Sequence, residues 1–171
     1  METSDMMRVN VGPDMWAIQT MSEAQADQIG RGVTHDPSWK RKNRHPMDHG
    51  AGINVRDIVD RSLGNLINDH ARKLALLVEE LYDTNIRVRS TYIQKWDHKH
   101  SETVNVPGGG KGWITVTPLE NSIAPSGGLH FPEYGITYEG IKGRTLFFPN
   151  TYERTVLPVT MSFTTIRTRH S

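Results

Sequence analysis

Lys40, Arg41, Lys42 and Arg44 fall within five positions, flanked by Trp39 and His45. Cations beside an aromatic ring can grip phosphates and stack on a base, so Trp39–His45 is a possible nucleic-acid contact. One short run on a chain of net charge +1 is a weak electrostatic footprint, and nucleic acid is not the expected partner. The same residues suit a solvated loop or a segment ordered against another protein subunit. Gly108-Gly109-Gly110 reads as a flexible loop rather than a phosphate cradle, because neither a lysine–serine/threonine pair nor a helix signal follows it. GxSxG, HExxH and dinucleotide fingerprints are absent. Glu133, Glu139 and Glu153 form no pair whose proximity follows from sequence, so a glycosidase has no support.

The elements that must position any site read as one α+β domain over 1–171, a length sufficient for its own core. The absence of cysteine excludes disulfides and thiolate metal sites. No apolar run approaches the ~18 residues needed to span a bilayer, and METSDMMRVNVGPD lacks the pattern of a signal peptide. Synthesis in the cytoplasm and no membrane partner are the expectations.

Within 1–84, a short strand is expected around Met7–Val11, broken by Gly12-Pro13. Ser22 and Gln25 have the capping-box form and start a short helix ending by Gly30 or Gly32. Residues 35–52 show no hydrophobic period. Asn54 with Asp57 starts the clearest helix, running to about Tyr82. Its apolar stripe holds Val59, Leu63, Ile67, Leu74, Leu77 and Val78. His70 lies on that stripe, where a hydrogen-bonded core histidine is the expected role. Within 85–171, Ile86–Trp96 and Trp113–Thr117 read as strands. From Ser126 to Thr160, turn residues alternate with β-rich runs at 136–138, 145–148 and 155–157, and Val159–Arg167 supplies the last strand.

In that stretch the motifs GGLHFPEYG, KGRTLFFP and VLPVT resemble the closing strands of the prolyl-4-hydroxylase-like iron(II)/2-oxoglutarate dioxygenases, over roughly the last 80 residues. The resemblance implies a double-stranded β-helix, a jelly-roll barrel in the C-terminal half, with an N-terminal helical layer that includes the long helix. It also implies a site made of His-x-Asp/Glu, a distal histidine, and an arginine or lysine for the far carboxylate of 2-oxoglutarate. On this alignment WDHKHSE fills the first place, with His100 and Glu102 as the pair and His98 beside them. Arg154 falls where the distal histidine belongs, and a guanidinium cannot ligate iron. His130 and His170 are the nearby histidines, and Thr164 falls near the place of the cosubstrate arginine, with Arg167 and Arg169 following.

These departures lead to the expectation of a non-catalytic structural or assembly protein without a cofactor. The specific form is a bacteriophage virion component (neck, tail or capsid-associated) in a homo-oligomer or ring, with Lys40, Arg41, Lys42 and Arg44 as subunit contacts. The alternative is an active iron(II)/2-oxoglutarate dioxygenase. Its metal ligands would come from His98, His100, Glu102 and His130, and Arg167 would bind the cosubstrate.

Overall fold

The computed structural model describes residues 7–37, 50–96, 102–104, 111–121, 128–157 and 163–170. Among them the chain runs β1 (Arg8–Gly12), β2 (Met15–Gln19), α1 (Glu23–Thr34), β3 (Gly50–Asn54), a 3-10 turn (Val55–Asp57) and α2 (Arg61–Tyr82). It continues through β4 (Val88–Trp96), β5 (Glu102–Val104), β6 (Trp113–Pro118), β7 (Gly128–Phe131), β8 (Ile136–Tyr138), β9 (Arg144–Pro149), β10 (Arg154–Leu157) and β11 (Phe163–His170). The strands form an antiparallel seven-stranded sheet, β1-β2-β9-β6-β11-β4-β3, and a four-stranded one, β5-β10-β7-β8. From β4 onward the chain crosses between the two sheets, which is jelly-roll connectivity.

One core lies between the sheets. Met15, Ala17, Ile114, Val116, Leu146 and Phe148 of the larger sheet pack with Leu129, Phe131 and Tyr138 of the smaller. Phe131 and Phe148 meet edge-on, 5.0 Å between centroids. The other face of the large sheet carries the helices: Ile29, Val33, Leu63 and Ile67 pack with Ile53, Ile93 and Ile166, and Leu74, Leu77 and Val78 with Ile18 and Phe147.

The start of α1 matches the sequence reading: Ser22 Oγ accepts from the Gln25 N–H at 3.1 Å. The start of α2 does not. Asn54 caps only the 3-10 turn, through Arg56 N–H, and Ile58 is extended. The buried Asp36 carboxylate then takes the Val59 N–H at 3.1 Å, so the chain is held out of helix until Asp60 caps Ser62 and Leu63. Val59, expected on the buried stripe, is 49% exposed. The N-terminal half is also more than a helical layer. Gly12-Pro13 is a hairpin turn rather than a break, and β1 and β2 extend one end of the large sheet while β3 borders the other. The last strand lies at 163–170 rather than 159–167.

His70 is a core histidine, as its place on the stripe suggests. Its Nε2 lies 3.1 Å from Thr117 Oγ1, and a hydroxyl chain continues through Thr145 to Thr20 at 2.6 Å per step. Burial, helped by neighbouring Lys73, pushes His70 down to about 4. The folded state therefore binds fewer protons than the unfolded one between that value and the ordinary 6.5. Stability is full above pH 6.5 and falls as the pH drops toward 4, by up to about 3 kcal/mol for this group. His170, likewise lowered to about 4 by burial, acts in the same direction. Urea midpoints at pH 7.5 and 5 should differ clearly in the wild type and by roughly half as much in His70→Gln; an equal drop in both proteins contradicts this assignment.

Candidate active site between the sheets

Alternation along β4 and β11 decides which side chains enter the space between the sheets. Ile93 and Ile166 are cross-strand partners and belong to the helix-side core. The intervening positions therefore point the other way. Arg167 pairs with Tyr92 and with Val116, and Arg169 with Ser90 and Ile114. Because Val116 and Ile114 belong to the inter-sheet core, both arginines share its face. Arg167 is only 9% exposed. The inward surface is thus divided: β2, β7 and β9 supply an apolar half, while β4 and β11 supply a polar lane of Ser90, Tyr92, Gln94, Arg167 and Arg169.

Arg154, the first residue of β10, is buried on the opposite wall. Its guanidinium carbon sits 5.1 Å from the centroid of Phe148. Nη1 donates to the carbonyls of Asn150 (3.1 Å) and Tyr152 (2.9 Å), and Nη2 to Asn150 Oδ1 at 3.2 Å. The side chain folds back to fasten the β9–β10 turn. Across the ladder, Arg154 pairs with Val104, while Glu102 pairs with Val156. Glu102 and the distal position are therefore on neighbouring strands, offset by two residues in register.

His130 lies between Thr137 and Thr155 in the small sheet, and its Nδ1 is 2.9 Å from Thr137 Oγ1. Its neighbours Leu129 and Phe131 enter the inter-sheet core, so His130 faces outward and does not reach the site. His170 sits on the helix side with Thr115. His98, His100 and the basic run Lys40, Arg41, Lys42 and Arg44 lie outside the described residues, as does any subunit contact there. Glu102 is described only as backbone in β5. Among the described residues no group of three histidine, cysteine or carboxylate side chains is placed to hold a metal.

Tested against an iron centre with a cosubstrate, the residues divide. A buried, inward guanidinium on the central strand β11 suits a carboxylate ligand. The distal metal-ligand position does not fit, because Arg154 has no lone pair to donate and its Nη atoms are committed to the turn. The sequence pointed to Arg167 and placed Arg169 after it; it missed Tyr92, which only the register reveals.

The two-sheet frame is that of the iron(II)/2-oxoglutarate oxygenases, in its prolyl-4-hydroxylase-like form. The viral collagen prolyl hydroxylase vCPH of Paramecium Bursaria Chlorella virus-1, solved as its 2-oxoglutarate complex, superposes with a TM-score of 0.65 at 12% identity over 93% of this chain and 96% of that one. The α-ketoglutarate-dependent carbocyclase SnoK of nogalamycin biosynthesis gives 0.71 at 9% identity, over 92% of this chain and 79% of its own. The epimerase SnoN, solved with Fe3+, α-ketoglutarate and nogalamycin RO, gives 0.68 at 9% identity over 92% and 78%. No protein-family model and no curated protein matches the chain.

These likenesses correct two expectations. The non-catalytic virion component (neck, tail or capsid-associated) is not supported, because the proteins that superpose on this fold are oxygenases and related 2-oxoglutarate-dependent catalysts, and nothing in them points to a phage assembly. The expectation of no cofactor fails on the same ground, since vCPH was solved with 2-oxoglutarate and SnoN with iron and α-ketoglutarate. Arg154 removes one ligand position of the fold but leaves the inward cations of β11 in place. No helix among the described residues is long and apolar enough to cross a membrane.

Proposed function

We propose that the chain is an iron(II)/2-oxoglutarate-dependent oxygenase of the hydroxylase type, its two sheets closing as a double-stranded β-helix around the cosubstrate. The observation that carries this reading is the buried guanidinium of Arg167 on the inward face of β11. Between the sheets, where water is scarce, a guanidinium–carboxylate contact is worth far more than at the surface, and the planar fork matches both oxygens. Arg167 would hold the far carboxylate of 2-oxoglutarate, with Tyr92 as its cross-strand neighbour and Arg169 two residues further along the same face. The apolar half, built on Phe131, Leu146 and Phe148, keeps water from the opposite side. His100 and Glu102, with His98 beside them, are the residues that would hold the metal, and Arg154 and His130 are not. Iron(II) and 2-oxoglutarate together supply an oxidant made from dioxygen. The substrate class is peptidyl or small-molecule.

Calorimetric titration of 2-oxoglutarate into the protein tests the anchor. Wild type should bind, and Arg167→Met should weaken binding at least tenfold, the loss of about 2 kcal/mol expected for hydrogen bonds to a charged group. The circular dichroism of the variant should stay unchanged. Equal affinity in the two proteins, or no binding in either, contradicts the reading.

A further inference from the structure

Outside the inter-sheet space, a groove of about 520 Å³ opens where the C-terminus of α2 meets the β1–β2 turn and the start of β6. Tyr82 and Trp113 form its aromatic wall, stacked with centroids 5.2 Å apart and planes inclined by 26°. The Tyr82 hydroxyl donates to the Asp14 carbonyl at 2.7 Å, which fixes the turn against the helix end. Asp14 and Asp83 stand exposed on the lining, with Pro149 at the far side.

Three features give this groove one electrostatic sign. Among the described residues two carboxylates line it and no cationic side chain does, the nearest by sequence being exposed Lys111 beside Gly112. The C-terminal end of a helix carries partial negative charge and favours a cation. In α2 the last turn holds no basic residue, and the C-cap is Asp83. A carboxylate where the helix dipole favours a cation is a local cost, relieved when a positive ligand arrives. The aromatic wall adds cation–π attraction.

The groove also has a connection to the site. Pro149 closes β9, and the next residue, Asn150, donates its N–H to the Gly112 carbonyl and receives two hydrogen bonds from Arg154. The groove therefore lies at the end of the sheets where β10 begins.

We propose that this groove binds the side chain of a lysine or arginine in a peptide substrate, beside the residue that is oxidised. Its role as a substrate subsite rests on the oxygenase reading; its affinity for a cation does not. The test uses the full chain, 15N-labelled, with Nα-acetyl-lysine methylamide, its norleucine analogue and n-butylamine as probes, reading the Trp113 indole resonance. The lysine derivative should shift that resonance in a saturable way and the norleucine derivative should not. Asp14→Asn and Asp83→Asn together should weaken the lysine probe at least fivefold without changing 2-oxoglutarate binding. Asparagine tolerates the left-handed backbone found at both positions, φ 53° and 50°, so the variant keeps its fold. No shift with lysine, an equal shift with norleucine, or unchanged affinity in the double variant overturns the proposal. n-Butylamine binding as tightly as the lysine derivative overturns the peptide assignment. Arg167→Met should leave lysine binding intact, so loss of the cosubstrate site and loss of the groove are read separately.

Discussion

Arg154→Leu should lower the stability of the folded chain by about 3 kcal/mol, a thermal midpoint shift of about 10 °C for a domain of this size. The leucine fills part of the volume but donates nothing. The Asn150 and Tyr152 carbonyls lose the donor they share, Asn150 Oδ1 loses its own, and the cation over Phe148 disappears. Differential scanning calorimetry at neutral pH reads the effect. A shift below about 3 °C would mean that the guanidinium is not the fastening of the β9–β10 turn. The distal ligand position of the fold would then have no structural reason to hold arginine.

Gly143→Ala should be at least as damaging, at about 4 kcal/mol. Gly143 sits at φ 77°, and an added Cβ would lie 2.2 Å from the Met21 carbonyl oxygen and 2.6 Å from Gln19 Nε2. The first of these is backbone and cannot yield without moving the segment that joins β2 to α1. The same glycine accepts from the Thr20 and Met21 N–H groups and donates to the Pro118 carbonyl, tying three parts of the fold together. Gly135→Ala is the control. Its φ is 62°, yet nothing lies within 4 Å of the added carbon, so only the conformational penalty of about 1 kcal/mol applies. Chemical denaturation of both variants separates clash from backbone preference. Equal losses would show that the contact with Met21 does not decide the outcome.

Much of the fold was legible because local chemistry and tertiary structure agree. The turn glycines and β-branched runs of 126–160 become β8, β9 and β10, and the capping box at Ser22 starts α1. The start of α2 was not legible, since Asp36, more than 20 residues away in sequence, decides it by holding Val59 in an extended chain. β2 was missed because Met15, Ala17 and Ile18 are all buried, on two faces of one strand, and such a strand shows no alternation. Arg154 could be assigned to the distal position from the spacing of LFFP and VLPVT, but its three hydrogen bonds to the turn could not. Nor could sequence show that His130 faces away from the inter-sheet core, because that depends on which neighbours enter it. That Arg167 and Arg169 of β11 face inward appears only once Ile166 is placed on the helix side.

Anaerobic absorbance titration of the protein with iron(II) and then 2-oxoglutarate tests the account most directly. A weak visible charge-transfer band that appears only with both, and is lost in His100→Ala and in Arg167→Met, is the predicted result. No band in the wild type, or a band unaffected by both substitutions, would contradict it.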